Sequence, residues 1–330
     1  MLRTVISTLL ASVLCPALAS DGRYTAESFE FALIGDMPYG VITNQSHSEF
    51  VKLTEAINAD GRIKWLLHAG DIKSSKEPCS DEIYNTRLAQ LNRFKMPVIL
   101  TPGDNDWTDC HRALSGGYPP LERLAVVRRL FYPKPGVSLG GTTKTLTSQA
   151  KNASYKHFPE NVRWIEHNVV FATLHIVGSR NGLAPFQSKD GVTRGRQNDE
   201  EVNQRTAAAL AWLRETFALA NERDSAGVFL MMHANPGLER SSQNRRQRAP
   251  YKTLLTALET EVIAFGKPVV LAHGDSHYFR IDKPVLADAE FLTNFTRVET
   301  FGAPWVHWIR VVVMPQHPAV FAFFPEILPH

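Results

Sequence analysis

Apolar runs alternate with amphipathic stretches along most of the 330 residues, and several of the apolar runs stop at glycine, aspartate or histidine. FEFALIGD (29–36) predicts a strand that ends in Gly-Asp. Phe50, Leu53 and Ile57 then share one helical face, behind a Ser46/Glu49 pair with capping-box spacing and before a stop at Gly61. IKWLLHAGD (63–71) predicts a second strand, Asp81 to Phe94 a helix, and MPVILTPGD (96–104) a third strand. Beyond a Pro/Gly-rich linker, Pro133 to Gly141, strands are expected at Val162 to Trp164 and Val169 to Val177. A long helix follows from Asp199 to about Asn221, with Ala209, Leu213, Phe217 and Ala220 inward. GVFLMMHANP (227–236) predicts a strand that ends in His233, and Tyr251 to Phe265 a helix. The run Val269 to Ala272 breaks into His273, Gly274, Asp275, Ser276 and His277, and the tail (TRVETFG, WVHWIRVVVMP, AVFAFFPE) predicts antiparallel strands. Strands alternating with helices place the chain in the α/β class, as two sheets faced by helices, and no fixed-period repeat interrupts it.

The strand ends carry the chemistry. Three runs finish in Gly-Asp, at Asp36, Asp71 and Asp104. One such ending is an ordinary turn or helix cap. Three in series, at the strand edge where open α/β sheets bind ligands, point to a shared site. His233 and the His273/Asp275/His277 cluster add imidazoles and a further carboxylate. Aspartates and histidines from separate strand ends suit two divalent ions roughly 3.5–4 Å apart, with Asp71 placed to bridge them. Taken singly, His233 is an ordinary structural histidine, His68 a packed or orienting one, and His273 a core residue or a support behind the site. The chain has no Walker loop, nucleophile elbow or zincin helix to offer instead.

Charge narrows the partners. Lys plus Arg number 36 against 33 Asp plus Glu, a formal +3, too little to make nucleic acid or an anionic membrane the default partner. The loop ERSSQNRRQR (239–248) reads either as a solvated loop or as an electropositive rim for phosphorylated substrates, with Arg245 and Arg246 as contacts and Arg194 and Arg196 as additions. The first residues, MLRTVISTLLASVLCPALAS, have one arginine, a short apolar stretch and Ala17-Leu18-Ala19 as a cleavage site. They predict a signal peptide over 1–19, export to the periplasm or outside, and one domain over 20–330 with no transmembrane anchor. Cys79 and Cys110 are then left as an even pair in an oxidising compartment, which predicts one disulfide.

Gly35-Asp36, Gly70-Asp71, G-D-N-D at 103–106, His233 and G-D-S-H at 274–277 resemble, in order, the motif series of the calcineurin-like metallophosphoesterase superfamily. The resemblance runs from Phe31 to His277. It implies a four-layer α/β/β/α sandwich of two mixed sheets and a dinuclear metal centre. Carried over by position, Asp36, Asp71 and His277 hold one ion, and Asp71, Asp104, His233 and Asp275 the other. The function implied is a metal-dependent phosphoesterase in which metal-activated water attacks a phosphomonoester, phosphodiester or diphosphate directly, on a small phosphorylated substrate and with no protein partner evident.

This chain departs from the pattern in three places. Pro38 stands where many members have a histidine ligand, Asn105 stands in a histidine position, and Asp275 replaces the first histidine of the last motif. Carboxylate-rich ligation favours Mn²⁺, Mg²⁺ or Ca²⁺ over a purely zinc centre, with iron also in range. Asn105 donates a hydrogen bond but has no proton to give near neutral pH, which leaves His111 or His273 as the acid for the leaving group. Without an acid, diphosphates and aryl esters are expected to react better than alkyl monoesters. Tyr39, beside the first motif, is a candidate pocket residue. The missing histidines also admit a degenerate homologue that binds metal or phosphorylated ligand without turnover.

Overall fold

Strand β1, Phe29–Ile34, shows how the layers are sorted. Phe29, Phe31 and Leu33 point one way, into a core shared with Trp65, Phe171, Phe229 and Val270, while Ala32 and Ile34 point the other way, onto helices. A strand buried on both faces is the inner layer of a stack. The computed structural model describes residues 27–40, 45–188, 190–239, 247–286 and 291–329, without the side chains of 45–47. The expected leader at 1–19 lies outside that set, as does the Ser46 side chain on which the expected cap depends.

Around β1 the first sheet collects β2 (Ile63–His68), β3 (Pro97–Leu100), the two-residue β4 (Leu139–Gly140), β12 (Trp308–Val313) and β13 (Phe321–Glu326), in the order β13-β12-β1-β2-β3-β4. The second sheet holds β5 (Thr147–Ser148), β6 (Val162–Glu166), β7 (Val169–Thr173), β8 (Gly227–Met231), β9 (Val269–His273), β10 (Arg280–Asp282) and β11 (Phe295–Glu299). Its order is β10-β11-β9-β8-β7-β6-β5. Both sheets are mixed. β1, β2 and β3 run parallel, as do β7, β8, β9 and β11.

The helices complete four layers. α1 (Gln45–Ala59), α2 (Asp81–Leu91) and α3 (Pro120–Phe131) cover the first sheet through Phe50, Leu53, Ile57, Tyr84, Leu91, Leu124 and Phe131. α4 (Arg196–Glu222) and α5 (Lys252–Phe265) cover the second, with Ala209, Leu213, Phe217 and Ala220 inward as their spacing predicts. Between the sheets the packing is aromatic: Phe31 stacks on Trp65 at 5.5 Å and meets Phe229 edge-on at 5.1 Å. Such pairs add about 0.5–1.5 kcal/mol each beyond simple burial.

The fold departs from the sequence reading in several places, among them the short strands β4, β5 and β10. α3 was not anticipated, although Leu124, Val127 and Phe131 follow helical spacing onto the core. In the tail, β12 and β13 are antiparallel as expected, but β11 runs parallel to β9 in the other sheet. Periodicity fixes which face of a strand is buried and is silent about its direction. Among the described residues no helix is long and apolar enough to cross a membrane.

Cys79 and Cys110 are bonded, with Cα atoms 5.7 Å apart. The bridge joins the loop after β2 to the 3₁₀ turn Thr108–His111 that follows β3. Replacing both cysteines with alanine is expected to lower stability by about 2–4 kcal/mol, read as a fall in the denaturant midpoint. An unchanged midpoint would mean that hydrogen bonds alone hold those loops.

Candidate metal centre

Three of the parallel strands that end at the shared edge, β1, β2 and β9, leave their sheets through sharp turns. Asp36, Asp71, Asp275 and His277 all adopt left-handed backbone, with φ of 55°, 56°, 82° and 58°. Side chains other than glycine avoid this region at a cost of order 1–3 kcal/mol, and it concentrates where the surrounding structure imposes it for function. Gly70, at φ 92°, has no such latitude: a Cβ there would stand 2.8 Å from His233 Nδ1. The glycine before Asp71 lets strand two approach the histidine of strand eight.

The turns bring the predicted residues together. His233 Nε2 lies 3.4 Å from Asp71 Oδ1 and 3.3 Å from Asp104 Oδ1, and His277 Nε2 lies 3.5 Å from Asp36 Oδ1. Ligand atoms of Asp36, Asp71 and His233 fall within 4.8 Å of one another, as do those of Asp104, His233 and Asp275. Asp36, Asp71, Asp104 and His233 are buried, and Asp275 and His277 partly so. His233 Nδ1 meets the Ala69 carbonyl at 2.8 Å and His277 Nδ1 the Ala303 carbonyl at 2.6 Å. A carbonyl only accepts, so Nδ1 carries a proton in both rings and each Nε2 faces the carboxylates. This is the orientation a metal ligand needs.

The carboxylates are steered by amides. Asp36 accepts from Asp275 N at 3.1 Å, Asp71 from Asn105 N at 2.9 Å, and Asp275 from Asn235 N at 2.9 Å. Asp106 takes three, from Asp71, Ile72 and Gly103, and so ties loop two to loop three. Trp107 is fixed from below: its indole donates to His175 Nε2 at 3.2 Å, and His175 Nδ1 donates to the buried Glu160 at 2.6 Å. His68 donates to the Met37 carbonyl and accepts from Gly70 N, an orienting histidine as expected.

Among the described residues no lysine or arginine is ion-paired to Asp36, Asp71, Asp104 or Asp275. Lys73, buried nearby, donates to the Ser74 carbonyl. With protein groups alone, the cluster holds its charge by taking up protons. Burial, with the Asp275 and Asp104 charges, pushes Asp36 up to about 8, and burial with Asp104 pushes Asp275 up to about 6. Burial also works against a charged His233, yet the surrounding aspartates win and raise it well above its ordinary value. On Asp104 burial is outweighed by His233 and the Ser179 hydroxyl, which hold it at about 2. Like charges buried together around two inward-facing imidazole nitrogens fit divalent cations, which would take the place of the proton that His233 holds.

The other expected residues are placed differently. Tyr39 stands inside the cluster, its hydroxyl 3.2 Å from both Asp71 Oδ2 and His277 Nε2. Asn105 Nδ2 donates to Asp71 Oδ2 at 2.5 Å. His111 lies on the rim, stacked on Phe186 at 4.8 Å with Nδ1 on the Thr108 carbonyl. His273 is sealed in β9 with Nδ1 on the Gly274 carbonyl, and burial pushes it down to about 3. No hydrogen bond joins either histidine to the carboxylates. Arg245 and Arg246 lie outside the described residues. Arg194 and Arg196 pair with Asp199 and Glu200 at the start of α4.

Sequence reasoning overlooked Asp106, Asp109 and Ser179. Ser179 Oγ lies 2.8 Å from Asp104 Oδ2 and 2.7 Å from Asp109 Oδ2. The signal was present: Val177-Gly178-Ser179 follows a buried strand as Gly-Asp follows the others.

A family model described as calcineurin-like phosphoesterase matches residues 29–279. No curated protein matches the sequence. Among solved structures the chain is similar to a putative 5'-nucleotidase from Staphylococcus aureus, solved in complex with alpha-ketoglutarate, at 12% identity and a TM-score of 0.46, over 92% of this chain and 55% of that one. It thus spans about half the length of that protein. It is also similar to a carbon-nitrogen hydrolase from Helicobacter pylori G27 at 9% identity and a TM-score of 0.32, over 92% of this chain and 87% of that one. Neither likeness is strong enough to bear on the chemistry.

The Asp36 shift has a testable sign. Its folded value, about 8, exceeds the ordinary 3.8, so its contribution favours the fold at low pH and turns against it as pH rises from about 4 to 8. In chelator, Asp36→Asn is therefore expected to gain melting temperature relative to the wild type across that window, with the largest gain near pH 8. A difference that does not vary with pH would show that Asp36 is not pushed up.

Proposed function

We propose, from the premise that this chain belongs to the calcineurin-like phosphoesterase family and is a metal-dependent phosphoester hydrolase, that it is exported and uses two divalent ions to cleave phosphomonoester, phosphodiester or diphosphate bonds in small compounds. The reading rests on one observation above all. Asp36, Asp71, Asp104, His233, Asp275 and His277 meet in one cluster, with both imidazoles turning Nε2 inward.

Asp36, Asp71 and His277 would hold one ion, and Asp71, Asp104, His233 and Asp275 the other. An imidazole nitrogen has a single lone pair and serves one ion, so the shared member has to be a carboxylate. Asp71 has the placement for it, with Oδ1 toward His233 and Oδ2 toward the Tyr39 hydroxyl beside His277. Bound ions supply Lewis acidity, making water nucleophilic near neutral pH and drawing charge from phosphoryl oxygens. The oxygen-rich set favours manganese, iron, magnesium or calcium over zinc.

The chain's own part is to orient. Asn105 and Tyr39 both donate to Asp71 Oδ2 and steady it, and the Tyr39 hydroxyl would line the place of a phosphoryl oxygen. Arg245 and Arg246 follow His233 closely enough in sequence to steer an anionic substrate. His111 is the acid available at the rim. Burial holds it below the ordinary histidine range, so it is largely neutral at pH 7 and a weak donor to a departing alkoxide. Leaving groups that depart readily as anions are accordingly favoured. The expected leader and the Cys79–Cys110 bridge support export.

The mature chain, stripped with chelator and reloaded with Mn²⁺, Mg²⁺, Ca²⁺, Zn²⁺ or Fe²⁺ singly, should hydrolyse p-nitrophenyl phosphate or bis(p-nitrophenyl) phosphate. Asp71→Ala should lose more than roughly a hundredfold, beyond what loss of an outer partner costs. Turnover that survives chelation, or survives Asp71→Ala, would sink the proposal.

A further inference from the structure

Arg112 sits just past the 3₁₀ turn Thr108–His111, two contacts away from Asp104. Its Nη2 lies 2.7 Å from Asp109 Oδ2 and 3.4 Å from Ser179 Oγ, and Ser179 Oγ lies 2.8 Å from Asp104 Oδ2. Asp109 is buried, its side chain 2% exposed, whereas Arg112 is 46% exposed. The guanidinium is therefore pinned at one nitrogen by a buried carboxylate, and its remaining donors, Nε and Nη1, have no hydrogen-bond partner among the described residues.

The segment that carries Ser179 is pressed against the centre. A Cβ on Gly178 would stand 2.6 Å from Asp104 Oδ2 and 2.8 Å from Asp275 Oδ1. Ser179, Arg180 and Asn181 all hold left-handed backbone, at φ 47°, 61° and 59°. Three consecutive residues in that region persist only where the surroundings impose it. Here Asn181 N donates to the Tyr251 hydroxyl, which donates to the Val177 carbonyl and closes the bend. The bend sets the Ser179 hydroxyl between Asp104 and Asp109, and so fixes where the arginine stands.

We propose that Arg112 binds the substrate phosphate through one of its free N–H donors, on Nη1 or Nε, and that this makes the enzyme selective for phosphomonoesters over diesters. The proposal rests on the phosphoesterase reading and names the substrate class that it leaves open. A monoester carries a charge of about −1.5 to −2 at pH 7 and three terminal oxygens, whereas a diester carries a single charge and two. Oxygens engaged by the ions leave a monoester with one more anionic oxygen, which a guanidinium N–H binds in a charge-assisted hydrogen bond. A freely waving surface arginine would add little, because ordering its side chain cancels most of the gain. Arg112 is already ordered by Asp109.

The plain rival is that Arg112 only neutralises Asp109. Arg112→Met leaves that carboxyl buried and unpaired, so a second variant, Arg112→Met with Asp109→Asn, removes both charges together. With p-nitrophenyl phosphate and bis(p-nitrophenyl) phosphate as substrates, wild type should prefer the monoester. In both variants the monoester-to-diester ratio of kcat/KM should fall roughly ten- to hundredfold, the range of a charge-assisted hydrogen bond, with the loss chiefly in KM. Arg112→Lys should recover part of it. Calorimetric titration of the manganese-loaded proteins with inorganic phosphate should show the same loss of affinity, without reference to turnover. A wild-type preference for the diester, a ratio restored by the double variant, or equal phosphate affinity in wild type and variants would overturn the inference. If turnover is absent with every metal while phosphate binding still depends on Arg112, the phosphoesterase reading fails and the phosphate site stands.

Discussion

Four aspartates share one edge of two stacked sheets, and keeping them together is the constraint on which the rest of this molecule turns. In a poorly hydrated place, carboxylates repel one another and lose hydration, so each needs a compensating partner. The chain supplies backbone amides: Asp275 N to Asp36, Asn105 N to Asp71, Asn235 N to Asp275. An amide can be aimed this way only if the loop carrying it has a particular bend. For the Asp275 amide that bend is the left-handed backbone at Asp275 itself, and the same conformation at Asp36 and Asp71 turns the accepting carboxylates toward the centre. Strain in the turns and repulsion between the charges are thus one problem, and parallel strands packed rigidly on both faces are what can hold such turns in place.

The exchange of imidazole for carboxylate changes what surrounds the centre as well as what lines it. With Asn105 where a histidine is usual, the side chain donates to Asp71 and leaves the leaving-group side to the rim. With Pro38 in another histidine position, the next residue, Tyr39, places its hydroxyl between Asp71 and His277. The outer flank of Asp104 is handled by Ser179, Asp109 and Arg112, residues from two different loops. These side chains form a second tier whose composition follows from the changed first one.

Much of this was legible in the chain. Strand and helix positions followed periodicity to within a few residues, and six residues at strand ends converge as their spacing implied. What periodicity lacks is direction and neighbourhood. It could not show that β11 runs parallel to β9, nor that the linker near Leu139 adds an edge strand. Asp106 and Asp109 looked like two more polar residues in a loop, because a carboxylate that accepts three amides has the same letter as one in water. His273 and His111 fell the other way. Proximity in sequence suggested chemistry, but one is sealed inside its strand and the other stacks on Phe186.

Asp36 stands near the start of the fold, yet its surroundings arrive late in the chain. β1 lies between β2 and β12, Ala303 N donates to the Asp36 carbonyl, and Thr300 Oγ1 reaches its carboxylate across 264 positions. During synthesis the emerging chain can pair β1, β2 and β3 while the last strands are still unmade, since local contacts form before distant ones. The first sheet then waits with one flank of β1 open until β12 docks. The surroundings of Asp36 are therefore complete only once the last strands are in place, so a nascent or C-terminally clipped chain would lack part of what holds the centre.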